Sequence, residues 1–135
     1  MKKIVVVEDD KNMCTELVQL LKNSGYEAES LKDFEHAEEA LLASHADLIL
    51  LDINIPYING EMLLQNLRKK SDIPVIMLTS RNNEVDEVLS MSYGADDYIT
   101  KPYNPTILLL RISNVLKRIQ SKEDSKYRDL EINKT

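Results

Sequence analysis

The chain has 135 residues, of which 43% are hydrophobic and 30% charged, a balance that fits one folded globular domain with a full core and argues against disorder. A formal net charge of -6 counts against this segment gripping a phosphate backbone by itself, because nucleic-acid binding leans on clustered Lys and Arg. Nothing resembles a membrane span, Met-Lys-Lys with four apolar residues behind it is too short for a signal sequence, and a single cysteine, Cys14, fits a reducing cytoplasm and core packing.

In chain order, Val5-Val6-Val7 reads as a short buried strand that runs straight into Glu8, Asp9 and Asp10. Asp9 or Asp10 can cap a helix carrying Met13, Leu17, Leu20 and Leu21 on one side, and Gly25 is placed to end it. Tyr26 to Leu31 reads as a weaker strand. Asp33 is expected to cap a second helix with Phe34, Ala37, Leu41 and Leu42 on its buried face. Leu48 to Leu51 is a continuous apolar run, the mark of a strand buried on both faces, and Asp52 stands where that strand surfaces. Pro56 and Gly60 turn the chain away, and Leu63, Leu64 and Leu67 mark a third helix. Val75 to Leu78 is another buried strand, ending in Thr79 and Ser80. Val85, Val88 and Leu89 mark a fourth helix, and Tyr98-Ile99-Thr100 a last strand that ends in Lys101-Pro102. Asn104-Pro105 supplies a cap and a first-turn proline for a fifth helix expected to end near Gln120.

Strand and helix thus alternate five times, which predicts an α/β fold with right-handed crossovers and a parallel sheet covered by helices on both faces. In such sheets ligands bind beyond the carboxyl ends of the strands. Glu8, Asp9, Asp52, Thr79 and Lys101 are therefore expected to meet in one polar site. Clustered carboxylates repel unless a cation joins them, and a hard divalent ion such as Mg²⁺ suits oxygen ligands. His36 and His45 lie away from the strand ends. Each feature alone has a plainer reading: a turn aspartate, a helix cap, an acidic helix N-terminus. Turn chemistry gives no reason, however, for a lysine opposite carboxylates on two other strands.

Val-Val-Glu-Asp-Asp, Leu-Leu-Asp-Ile-Asn-Ile-Pro, Met-Leu-Thr-Ser and Gly-Ala-Asp-Asp-Tyr-Ile-Thr-Lys-Pro-Tyr, in that order, resemble the receiver domain of bacterial two-component response regulators, in its OmpR/PhoB-type (winged-helix) branch. The resemblance implies a doubly wound, five-stranded, CheY-like (flavodoxin-like) sheet over residues 1–120, with 121–135 a linker and the truncated start of a DNA-binding effector domain. It implies that Asp52 accepts a phosphoryl group from a sensor histidine kinase. Glu8 and Asp9 would hold Mg²⁺ together with Asp52 and the Asn54 carbonyl, while Thr79 and Lys101 would contact the phosphoryl group. Tyr98 would be the aromatic switch that swings inward when Thr79 is drawn to the phosphoryl group, and the bond before Pro102 would be cis. Ser80 departs from the more common alanine, and Arg81 is expected to obstruct the water that hydrolyses the phosphate, so that loss of the phosphoryl group is slow.

The same resemblance implies a homodimer on phosphorylation, formed through Val88, Asp96, Asp97, Ile107, Arg111 and Arg118. Asp97 with Arg111 and Asp96 with Arg118 would pair across a twofold axis, around an apolar seam, since Ile107-Leu108-Leu109-Leu110 cannot all face one core. DNA would be reached only through the effector domain, and the chain would be no enzyme beyond slow self-dephosphorylation. Two other readings are an aspartyl-phosphate hydrolase or phosphotransferase, and a degenerate receiver that serves as a binding module. The first usually wants an aspartate where this chain has Asn54, and the second does not need the intact acidic, hydroxyl and lysine set.

Overall fold

A computed structural model describes residues 1–80 and 84–132, with side-chain environments for 1–80 and 87–120. The strands are β1 (Lys3–Val7), β2 (Glu27–Ser30), β3 (Leu48–Asp52), β4 (Val75–Thr79) and β5 (Asp97–Thr100), and the helices α1 (Lys11–Asn23), α2 (Ala37–Ala43), α3 (Gly60–Arg68), α4 (Glu84–Ser92) and α5 (Pro105–Ile132). All strand pairings are parallel, in the order β2-β1-β3-β4-β5. β3 and β4 are buried at every position, as their unbroken apolar runs require.

Alternate residues of each strand feed opposite layers. Val5, Val7, Ile49, Leu51, Val75 and Met77 pack with Leu41 of α2 and Leu63, Leu64 and Leu67 of α3. Ile4, Val6, Leu48, Leu50, Ile76 and Leu78 pack with Leu17 and Leu21 of α1 and with Leu108, Ile112 and Val115 of α5. Because the chain leaves β1 toward β2 on one side and returns to β3 on the other, a crevice opens above the carboxyl ends of β1 and β3. Glu8 and Asp52 are the residues found there.

Caps follow the chemistry of the sequence. Asp10 accepts from the Met13 amide at 3.1 Å and Asn59 from the Glu61 amide at 2.7 Å. Two boundaries differ from expectation. Asp33 accepts from the His36 amide at 3.2 Å, but α2 starts only at Ala37 with His36 as its cap residue, so Phe34 sits half-buried in the preceding turn. α5 does not end near Gln120; it continues to Ile132, through the stretch expected to be a linker. That stretch is polar, yet its Lys, Glu and Arg residues are good helix formers.

Gly60 does more than turn the chain. Its amide donates to Ile53 O at 2.7 Å, and a Cβ built on it would lie 2.2 Å from Asp52 O. Only a glycine lets the start of α3 come this close to the end of β3. In α4, the Ser90 hydroxyl is buried with no hydrogen-bond partner, a cost of about 1–3 kcal/mol borne by this helix.

Candidate functional site

Register brings the site together. Val7 pairs with Leu51, so the next residues, Glu8 and Asp52, stand side by side. Thr79 pairs with Thr100, and the Lys101 amide donates to Thr79 O at 2.7 Å. From there the Lys101 side chain crosses β4, its ammonium donating to Asp52 Oδ2 and Glu8 Oε2, each at 2.7 Å. Asp52 Oδ1 accepts from the Asn54 amide at 3.0 Å, and Glu8 Oε1 accepts from the Asp10 amide at 3.2 Å. Glu8 and Asp52 are only 5% and 4% exposed, whereas Asp9 is exposed.

Burial and the neighbouring Asp52 push the Glu8 carboxyl up to about 7, against the opposing pull of Lys101. Burial alone would raise Asp52 as well, but hydrogen bonds from Glu8, Lys101 and the Asn54 amide hold it below its ordinary value. Burial would lower Lys101; its two carboxylate partners raise it instead. Of the acidic pair, Glu8 is thus drawn toward its protonated form and Asp52 toward its ionised form. An ionised carboxylate in a nearly closed, cation-held pocket is equipped as an oxygen nucleophile.

One oxygen from each of Glu8, Asp9 and Asp52 can lie within 4.8 Å of the other two. Three carboxylates against one ammonium leave negative charge uncompensated, and the oxygen-only donor set fits a hard divalent cation. Thr79 is fully buried at the end of β4, and Tyr98 is only 7% exposed, packed with Val75 and Met77 rather than standing on the surface. Lys101-Pro102 is cis, as the resemblance implied. Ser80 is exposed; Arg81 lies outside the described residues.

Some of the residues expected at a dimer face contact one another within the chain. Arg111 Nη1 donates to Asp97 Oδ1 at 2.9 Å, so that pair is made internally. Arg118 reaches only the backbone carbonyl of Asp96, at 3.2 Å, while the Asp96 carboxylate is taken by Arg68 and by the Val75 amide. Val88 and Ile107 are exposed. The sequence reading missed Arg68, whose place at the end of α3 resembles an ordinary basic residue at a helix C-terminus.

Residues 4–113 match the family described as response regulator receiver domain, and the chain belongs to that family. It is 38% identical over 125 residues, 93% of its length and 55% of the relative's, to the sensory transduction protein RegX3 of Mycolicibacterium smegmatis. It spans about half the length of the curated relatives it matches. Among solved structures, the BeF3-activated N-terminal receiver domain of RstA from Klebsiella pneumoniae is 35% identical with a TM-score of 0.81, covering 85% of this chain and 98% of that one. A CheY-like response regulator receiver protein from Methanospirillum hungatei is 31% identical with a TM-score of 0.83, over 90% and 98% of the two chains. The protein is therefore a two-component signalling receiver. Among the described residues no helix is long and apolar enough to cross a membrane.

Proposed function

We propose that Asp52 accepts a phosphoryl group from the phosphohistidine of a sensor histidine kinase, in the cytoplasm, and that the phosphorylated form dimerises to control a transcriptional effector of the OmpR/PhoB type, through which DNA is reached. The observation that carries this reading is the nearly buried Asp52 carboxylate held at 2.7 Å by Lys101, with Glu8 and Asp9 close enough to share a cation with it. In the transfer an Asp52 oxygen attacks phosphorus, the P–N bond to the donor histidine breaks, and its electron pair returns to the imidazole. Lys101 is freed from Asp52 Oδ2 as that charge is spent, and its ammonium moves to a phosphoryl oxygen as a point charge.

Glu8, Asp9, Asp52 and the Asn54 carbonyl would hold Mg²⁺, which when bound offsets the negative charge shared by nucleophile and phosphoryl group. Thr79 donates its hydroxyl to another phosphoryl oxygen. Its movement is transmitted to Tyr98, which already lies buried next to β4, and so to the face formed by α4, β5 and α5. The unpaired Ser90 hydroxyl supports α4 as an element not at its optimum in this form. Val88 and Ile107 supply exposed apolar surface on that face. Asn54, in place of a second aspartate, leaves no general acid-base partner two residues beyond Asp52, which favours a switch over a hydrolase.

Intact mass after exposure to acetyl phosphate and Mg²⁺ tests the reading. A single persistent phosphate is expected; continuous release of inorganic phosphate would point to a hydrolase, and no labelling to a binding module.

A further inference from the structure

Arg68, the last residue of α3, turns its guanidinium onto two loops at the end of the sheet opposite Asp52. Its Nε donates to Gly94 O at 2.8 Å, Nη1 to Ile73 O at 2.7 Å, and Nη2 to Asp96 Oδ2 at 3.2 Å. Asp96 Oδ2 also accepts from the Val75 amide at 2.8 Å, and the Asp96 amide donates to Val75 O at 2.8 Å. The side chains of Arg68 and Asp96 are 20% and 29% exposed, so water competes weakly for these bonds. Gly94 has φ +105°, and a Cβ there would come 2.9 Å from Arg68 Nε; the missing side chain is what admits the guanidinium.

An ion pair serving stability alone needs two groups. Here one planar fork spans acceptors on the α3–β4 and α4–β5 loops, geometry that a lysine cannot reproduce. What it fixes is a carboxylate with one oxygen committed inward. Among the described residues Asp96 Oδ1 has no hydrogen bond, and the Arg118 guanidinium lies beside the same residue on its backbone carbonyl. The Asp97 pair differs at its arginine, because Arg111 is already committed to Asp97 of its own chain, whereas Arg118 holds no carboxylate among the described residues. Of the two pairs expected between copies, Asp96 with Arg118 is the one that can form without breaking an existing ion pair.

We propose that Arg68 is a positioning residue for the dimer face: by clamping Gly94, Ile73 and Asp96 it presents Asp96 Oδ1 to Arg118 of a second copy. This rests on the dimerisation reading above. A twofold axis repeats the contact, so at up to about fivefold per exposed pair its loss weakens the dimer on the order of tenfold.

Sedimentation of the whole chain with beryllofluoride and Mg²⁺ tests it. Arg68→Lys and Arg118→Ala are each expected to weaken the dimer on the order of tenfold, and the double variant no more than Arg118→Ala alone, since both act through one contact. Asp96→Asn, which keeps the shape and an acceptor for Val75, is expected to be equally non-additive with Arg118→Ala. Losses that add would overturn the proposal. Without beryllofluoride, Arg68→Lys is expected to speed amide exchange at Val75; unchanged exchange would overturn the clamp itself, whatever the dimer does. A parent chain that stays monomeric at high concentration would overturn the dimer reading and the positioning role together, leaving the exchange result to judge the clamp.

Discussion

Lys101 and Asp52 stand at the ends of strands two apart in the sheet and meet at 2.7 Å, with the lysine ammonium crossing β4 to reach the carboxylate. The same ammonium holds Glu8 at 2.7 Å. One side-chain cation thus serves two nearly buried carboxylates, and with exposed Asp9 beside them the protein's own groups carry an excess of negative charge.

That excess has a measurable cost. At pH 8 in EDTA, Glu8→Gln is expected to be more stable than the parent by roughly 1–2 kcal/mol, or roughly 3–10 °C in Tm. The sign follows from the proton: Glu8 is raised from 4.5 to about 7 in the folded chain, so its favourable contribution is present below about pH 4.5 and lost as pH rises through 7. The advantage of Gln should therefore fade toward pH 4.5. Millimolar Mg²⁺ should narrow it at pH 8 by stabilising the parent, and Asp9→Asn should reduce that Mg²⁺ effect. Equal melting of parent and Glu8→Gln in EDTA at pH 8 would count against the charge cluster.

Gly60→Ala is expected to cost about 3 kcal/mol, at the upper end for overpacking. The new Cβ meets backbone atoms of Asp52 and Ile53, which cannot swing aside as a side chain can. Urea unfolding measures it, and acetyl phosphate labelling should slow because the Asp52 backbone must shift. A cost below about 1 kcal/mol would mean that α3 can retreat freely from β3.

Much of this was legible. A strand buried on both faces in a parallel sheet reads as an apolar run, so β3 and β4 and the polar residues behind them could be located from the sequence, and five strand ends in one parallel sheet must share an edge. The order of the strands cannot be read from the residues alone, because every crossover has the same local pattern. Gly60 was read as a turn residue, since a close approach between α3 and β3 leaves no mark beyond a glycine. Tyr57 adopts φ 71° while 77% exposed, a conformation rare for a bulky residue that no periodicity announces. Asp96 and Asp97 look alike in the sequence. Their partners, Arg68 and Arg111, are fixed by long-range packing, which separates one from the other only in the fold.

On the proposed dimer face, Ile107→Asp is expected to weaken dimerisation of the phosphorylated form more than Arg111→Ala. Burying an aliphatic side chain contributes roughly 1.5–3 kcal/mol, an exposed ion pair only ~0–1, and Arg111 is already paired within its own chain. Sedimentation after beryllofluoride activation compares them. A dimer indifferent to Ile107→Asp would place the interface elsewhere.

Asp52 as the phosphoryl acceptor is open to one direct measurement: intact mass of the parent, Asp52→Asn and Asp9→Asn after equal exposure to acetyl phosphate and Mg²⁺, with the labelled peptide mapped. One phosphate on the peptide containing Asp52, slowed but still placed there in Asp9→Asn and absent in Asp52→Asn, is the predicted result; labelling that persists at the parent's rate in Asp52→Asn would contradict it.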